Sequence, residues 1–356
     1  MSKNHLKGLD TYRAIAALIV VVSHVEFFKL LNGYHHYFDL PFFQNTGGHI
    51  AVIMFFTLSG FLITLLLLNE KTKFKKISLK EFYLRRIFRV WPLYYLIILI
   101  SYLLLDYPTT TLTFLLCISI FPNIAHAIGS GWAGSPQIWS IGVEEQFYLA
   151  WPIIIKRNWN LLYVIIFIFI FFTTLPHILL FIFNNTYPDP EIMSTINNIF
   201  YGMKFNCMAV GGFAALLYKK KEVLGIINRY TSVSYMLIVL PFSLWVCGFE
   251  ILYFTDELYS ILFALSILVI TSNENVINID TKVTSLLGKV SYGIYMYHWI
   301  ILEFLFKNEI VKNNSIIVSS GLIYLITIGL TIAVSVISYR YVEKPFLKIK
   351  ERYSKK

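Results

Sequence analysis

Charge is scarce in this chain: Asp, Glu, Lys and Arg make up 14% of its 356 residues, against 57% that are hydrophobic. A soluble domain of this length needs a more polar surface, because its apolar side chains cannot all hide in one core. Cysteine is scarcer still. Cys117, Cys207 and Cys247 stand singly in or beside apolar segments, with no CxxC and no Cys/His spacing, so neither a disulfide framework nor a metal site is implied. They read as packing residues. Internal repeats and Gly/Ser linkers are also lacking. Residues 1–356 are therefore expected to form a single membrane-embedded domain with no appended soluble domain.

What the chain does have is long apolar runs. They fall at about 11–31, 48–68, 91–106, 137–155, 161–183, 199–218, 233–250, 258–271, 288–306 and 316–339. Runs of roughly 18 residues or more cross a bilayer as helices, so the expected fold is an all-α polytopic bundle of about ten spans. Thr111–Ile124 is apolar but short and bracketed by Pro108 and Pro122, and it reads as an interfacial or re-entrant piece. Lys3 and Lys7 precede the first run as in a signal peptide, but no small-residue cleavage site follows it. It reads as a retained span.

The net charge of +10 suits a bilayer better than nucleic acid, because the basic residues occupy short segments between apolar runs. One group runs from Lys71 to Arg89; others are Lys156 and Arg157, Lys219 to Arg229, and the tail from Arg340 to Arg352. Segments 32–47, 107–136, 184–198 and 251–257 hold no Lys or Arg. With ten spans and both termini cytoplasmic, every strongly basic segment lies inside. Lys307 and Lys312 are a mild exception.

Ionisable side chains within spans are costly and mark function by default. Arg13 and His24 share the first span. Eleven residues apart, they lie within about 20° of one helix face and roughly 16 Å apart along the axis. That suits a long anionic donor entering from inside; an interface anchor and a hydrogen-bonded bundle residue would look the same. Arg86 and Arg89 share a face at i and i+3. Guanidinium groups hold phosphates bidentately, although basic residues beside Trp and Tyr are also ordinary interface anchors. Glu144 and Glu145 follow Trp139-Ser140 near the outer end of the fourth span. A carboxylate there can orient His24 and raise its basicity. His298, in the ninth span, either lines the same cavity or is a satisfied core histidine. Ser59 has no base near it in sequence and is not expected to be a nucleophile.

Taken together, these residues resemble the acyltransferase-3 family of bacterial membrane acyltransferases, over nearly the whole chain. The matching parts, in family order, are Gly8-Leu9-Asp10 with Arg13-x10-His24, then Phe55 to Ile63, then Arg86-x-x-Arg89 with Pro92. Trp139-Ser140 to Tyr148, Ser291-Tyr292 to His298, and Tyr341 to Phe346 follow. The resemblance implies a bacterial inner-membrane enzyme that passes acyl groups, usually acetyl from acetyl-CoA, to lipopolysaccharide O-antigen, another envelope glycan or a lipid-linked sugar. It maps essential roles onto Arg13 and His24, donor binding onto Arg86 and Arg89, and the Trp-Ser motif's Glu onto Glu144, with Glu145 adjacent. Glu144 is then expected to orient His24 as general base towards the acceptor hydroxyl, an acetyl-His24 intermediate being the variant. No resident cofactor or metal is called for, because a thioester is already activated. The competing expectation is a transporter or flippase of lipid-linked sugars.

Overall fold

The computed structural model describes residues 6–105, 107–186, 190–273, 275–276, 278–308 and 316–352. Part of the Lys- and Arg-free segment 184–198, residues 187–189, lies outside them, as does Lys312. All regular structure among the described residues is helical, in keeping with the all-α expectation. The helices are α1 (Leu9–Leu31), α2 (Gly47–Phe74), α3 (Leu79–Leu105), α4 (Thr111–Ile118), α5 (Pro122–Ala127), α6 (Trp139–Lys156), α7 (Leu161–Thr186) and α8 (Pro190–Gly202). They continue with α9 (Phe205–Tyr218), α10 (Lys221–Arg229), α11 (Thr231–Val246), α12 (Thr255–Ser272), α13 (Lys282–Lys307), α14 (Ile316–Ser338) and α15 (Lys344–Arg352).

Among the described residues seven helical segments are long and apolar enough to cross a bilayer, or eight if the bent pair α10–α11 counts as one span. Each of the ten expected runs falls largely on helix, and the difference has two sources: α11 is short at 16 residues, and α6 and α13 are polar. Helix α6 carries Glu144, Glu145 and Lys156 within its 18 residues. Helix α13 is diluted by Tyr292, Tyr295, Tyr297, His298 and Glu303. Such helices are stable in a membrane only where neighbours cover their polar groups. At α10 the chain bends by 92° into α11. The first arm is amphipathic, with Lys221 and Arg229 at its ends and none of its residues buried, as suits a helix lying in an interface. Thr111–Ile124 forms the short α4 and the start of α5, neither long enough to cross.

The chain divides into two compact units. The first combines residues 1–55 with 217–348. In it α1 packs on α13 and α14, and α11 on α12. Helix α1 begins on Asp280, whose carboxylate accepts from the backbone N–H groups of Gly8 (2.7 Å) and Thr11 (3.0 Å). An acceptor at that end satisfies the orphan donors and suits the helix dipole. Gly8 stands at φ 81°, and Gly288 admits the Asp10 backbone so closely that a Cβ would overlap it. The C-terminal half of α1 buries a Lys29–Glu26 ion pair at 2.6 Å, with both side chains fully buried. Glu26 also accepts from the Tyr37 backbone N–H and the Tyr324 hydroxyl, and Lys29 lies 5.3 Å from the centre of each of those two rings.

The second unit takes in residues 56–216. Here α2 and α9 interlock through glycine: a Cβ on Gly60 would overlap the Met208 carbonyl, and one on Gly211 the Thr57 carbonyl. Small residues allow this backbone approach where packing, not water, drives association. Trp151 on α6 donates its indole N–H to Thr64 on α2 at 2.8 Å. Asn123 and Gln146 exchange amide hydrogen bonds of 3.2 and 2.7 Å, fastening α5 to α6.

Candidate active site

In the first unit α1 is helical without a break from Leu9 to Leu31, so Arg13 and His24 keep the common face their spacing gives. Arg13 is held by Asp10 at 3.5 Å, one turn back. Deeper along α1, His24 Nδ1 lies 2.9 Å from His298 Nε2 on α13, and His298 Nδ1 lies 2.7 Å from the Tyr295 carbonyl oxygen. The two imidazoles are within 18° of parallel with centroids 5.0 Å apart. Two rings sharing an in-plane N···N hydrogen bond require that spacing, so they meet edge to edge and do not stack. Trp299 stands edge-on to His24, with centroids 5.1 Å apart, and packs in turn on Phe28. His298 is fully buried, whereas His24 is half-buried.

In the second unit Ser59 on α2 donates to Glu144 Oε1 at 2.6 Å. The Arg86 guanidinium lies over the Tyr148 ring at 4.9 Å and interacts electrostatically with Glu144, Glu145 and Arg89. Arg89 is exposed, whereas Arg86 is half-buried. Glu145 Oε2 accepts from the Trp91 indole at 3.0 Å, and its buried Oε1 has no hydrogen-bond partner among the described residues. A guanidinium beside two carboxylates and a ring offsets their charge and keeps donors for a further anion.

Within the second unit Arg86 and Arg89 meet Glu144 and Glu145, a grouping that reasoning along the chain does not make, and within the first His24 meets His298. The expected pairing of His24 with Glu144 joins residues of different units; within its own unit His24 is hydrogen-bonded to His298, and Glu144 accepts from Ser59. Ser59 and Tyr148 are the residues that reasoning along the chain misses. No base lies near Ser59 in sequence, because its partner is 85 residues away. Among the described residues no three His, Cys, Asp or Glu side chains group as metal ligands would, His49 being committed to Asp256 at 2.7 Å.

Apolar helices of spanning length, with ionisable side chains held inside them, define a multi-pass membrane protein. Residues 6–340 match the acyltransferase domain of the acyltransferase-3 family, and the chain belongs to that family. It is 25% identical over 380 residues to O-acetyltransferase OatA of Staphylococcus aureus (strain NCTC 8325 / PS 47), covering 98% of this chain and 58% of that protein. A Staphylococcus aureus (strain COL) protein provisionally named an O-acetyltransferase is also 25% identical, over 387 residues, covering 97% of this chain and 58% of its own length. The chain therefore spans somewhat more than half the length of these relatives. No solved structure matches it.

Proposed function

We propose that this protein moves an acetyl group from acetyl-CoA to a hydroxyl of a cell-envelope glycan, lipopolysaccharide O-antigen or similar, in a bacterial inner membrane. Family membership and the names of the staphylococcal relatives support O-acetyl transfer as the reaction class. The observation that carries the chemistry is the His24–His298 pair, a half-buried imidazole in a helix of spanning length hydrogen-bonded to a fully buried one. An uncharged imidazole in such a place suits general-base catalysis. His24 takes the proton of the acceptor hydroxyl as its oxygen attacks the thioester carbonyl. The carbon–sulfur bond breaks, and the proton passes to the departing CoA thiolate. Arg13, Arg86 and Arg89 are assigned to the phosphates of the donor. Glu144, already bonded to one hydroxyl at Ser59, is the second catalytic candidate, able to exchange protons with another hydroxyl in its place.

The test is NMR of envelope polysaccharide from a strain lacking this protein, complemented with the wild type or with His24→Ala. O-acetyl signals should vanish in the deletion, return with the wild type and stay absent with the correctly inserted variant. Unchanged O-acetylation in the deletion would reject the proposal. Acetyl-CoA should also raise the melting temperature of the purified protein, which a flippase of lipid-linked sugars gives no reason to expect.

A further inference from the structure

The hydrogen bonds around His298 have a direction. A backbone carbonyl only accepts, so the nitrogen facing Tyr295 O at 2.7 Å, His298 Nδ1, carries the proton. A neutral imidazole has one proton, which leaves His298 Nε2 with a lone pair. His24 Nδ1, 2.9 Å away, must then be the donor. The single proton of His24 is spent there, and its Nε2 is left as a lone pair. The opposite arrangement would set a lone pair of His298 against the carbonyl oxygen, a buried mismatch.

Each ring also meets a carbonyl one turn back on its own helix, Val20 for His24 and Ile294 for His298, and both of these oxygens can only accept. On α1, Glu26 and Lys29 are paired with each other, and Tyr324 of α14 is bonded to Glu26. Tyr297, beside His298 on α13, is bonded to Ser338. Trp299 against His24 restricts rotation of that ring.

We infer that His298 is a positioning residue: anchored on the Tyr295 carbonyl, it fixes the tautomer of His24 so that His24 Nε2 is the atom that accepts the substrate proton. The inference rests on the general-base reading of His24 and says which nitrogen acts and what holds it ready. The ligand concerned is the hydroxyl of the acceptor, which meets the base at that nitrogen. Because the anchor is a main-chain atom, no side-chain titration of Tyr295 can release it.

The experiment uses membrane vesicles carrying the full chain and endogenous envelope glycan, supplied with radiolabelled acetyl-CoA over a range of concentrations. His298→Gln, whose amide oxygen can accept from His24 Nδ1–H, should keep kcat within about tenfold of the wild type. His298→Phe, which cannot accept, should lose at least about 100-fold in kcat, the span general-base catalysis covers, with the KM for acetyl-CoA unchanged. In the ¹⁵N-histidine NMR spectrum of the purified protein, His24 should be the Nδ1–H tautomer in the wild type and the Gln variant but not in the Phe variant. If His298→Phe does not insert, His298→Asn replaces it, since its shorter amide reaches towards Tyr295 but not His24, and the same loss is expected. Equal activity of the Phe and wild-type proteins, equal losses in Gln and Phe, or an Nε2–H tautomer in the wild type each overturn the inference. His24→Ala is measured alongside. Full activity there rejects the general-base reading itself, whereas an inactive His24→Ala with a fully active His298→Phe rejects only the positioning role.

Discussion

At the scale of single residues, the strongest commitments are buried charges, and each predicts its own failure. Lys29→Met leaves Glu26 as an uncompensated carboxylate, and breaking a buried pair from one side costs about 3–5 kcal/mol. Thermal unfolding in detergent should show that loss. The double variant Lys29→Met/Glu26→Gln should recover more than half of it, because the amide still accepts from Tyr324 and the Tyr37 backbone. Arg86→Lys keeps the charge but gives up the flat guanidinium over Tyr148, and should raise the KM for acetyl-CoA roughly tenfold with little change in kcat. The thiols make a simpler case. Burial pushes the Cys117 thiol up to about 12, and Cys207 is also buried, whereas Cys247 is exposed. Thiolates are the reactive form, so a maleimide at neutral pH should label Cys247 alone, as peptide mass spectrometry would show.

Elements show how far sequence reaches. Helices α1 and α3 were legible with their site residues in place, because Arg13, His24, Arg86 and Arg89 each share one helix and helical spacing settles their face. Ser59 and Glu144 lie on α2 and α6, and no periodicity within one helix reports a meeting of two. His298 was visible as a residue but not as a partner, since the choice between cavity and core depends on which helix α13 packs against. The α2–α9 interlock at Gly60 and Gly211 is likewise a meeting of two helices. Gly60→Ala should cost about 2–3 kcal/mol, as overpacking does when the obstruction is a backbone carbonyl and not a flexible side chain. A fall in melting temperature checks it; an unchanged value would mean that the two helices part without penalty.

For the molecule as a whole, the expected topology is a matter of charge: basic segments inside, Lys- and Arg-free segments outside. Two exposed positions test it in a background where Cys247 is serine. His35→Cys should react with a membrane-impermeant maleimide on intact spheroplasts, and Gly225→Cys only after permeabilisation. The all-helical class was plain from composition, because long uncharged runs have few other uses. The number of spans was not, since α6 and α13 carry the polar groups of the candidate site and look less like membrane helices for that reason. Function and hydropathy pull in opposite directions in those two elements.

The discontinuity of the first unit bears on how the protein is made. Helix α1 packs on α13, which begins 251 residues after α1 ends, at Lys282 against Leu31. At a synthesis rate of roughly 5–20 residues per second, α1 waits tens of seconds in the bilayer for that partner. During the wait His24 has no His298. Lys29 and Glu26, one helical turn apart on the same segment, need no other helix to neutralise each other. The early helix thus carries its own counter-ion through biogenesis, and only its imidazole must await the ribosome.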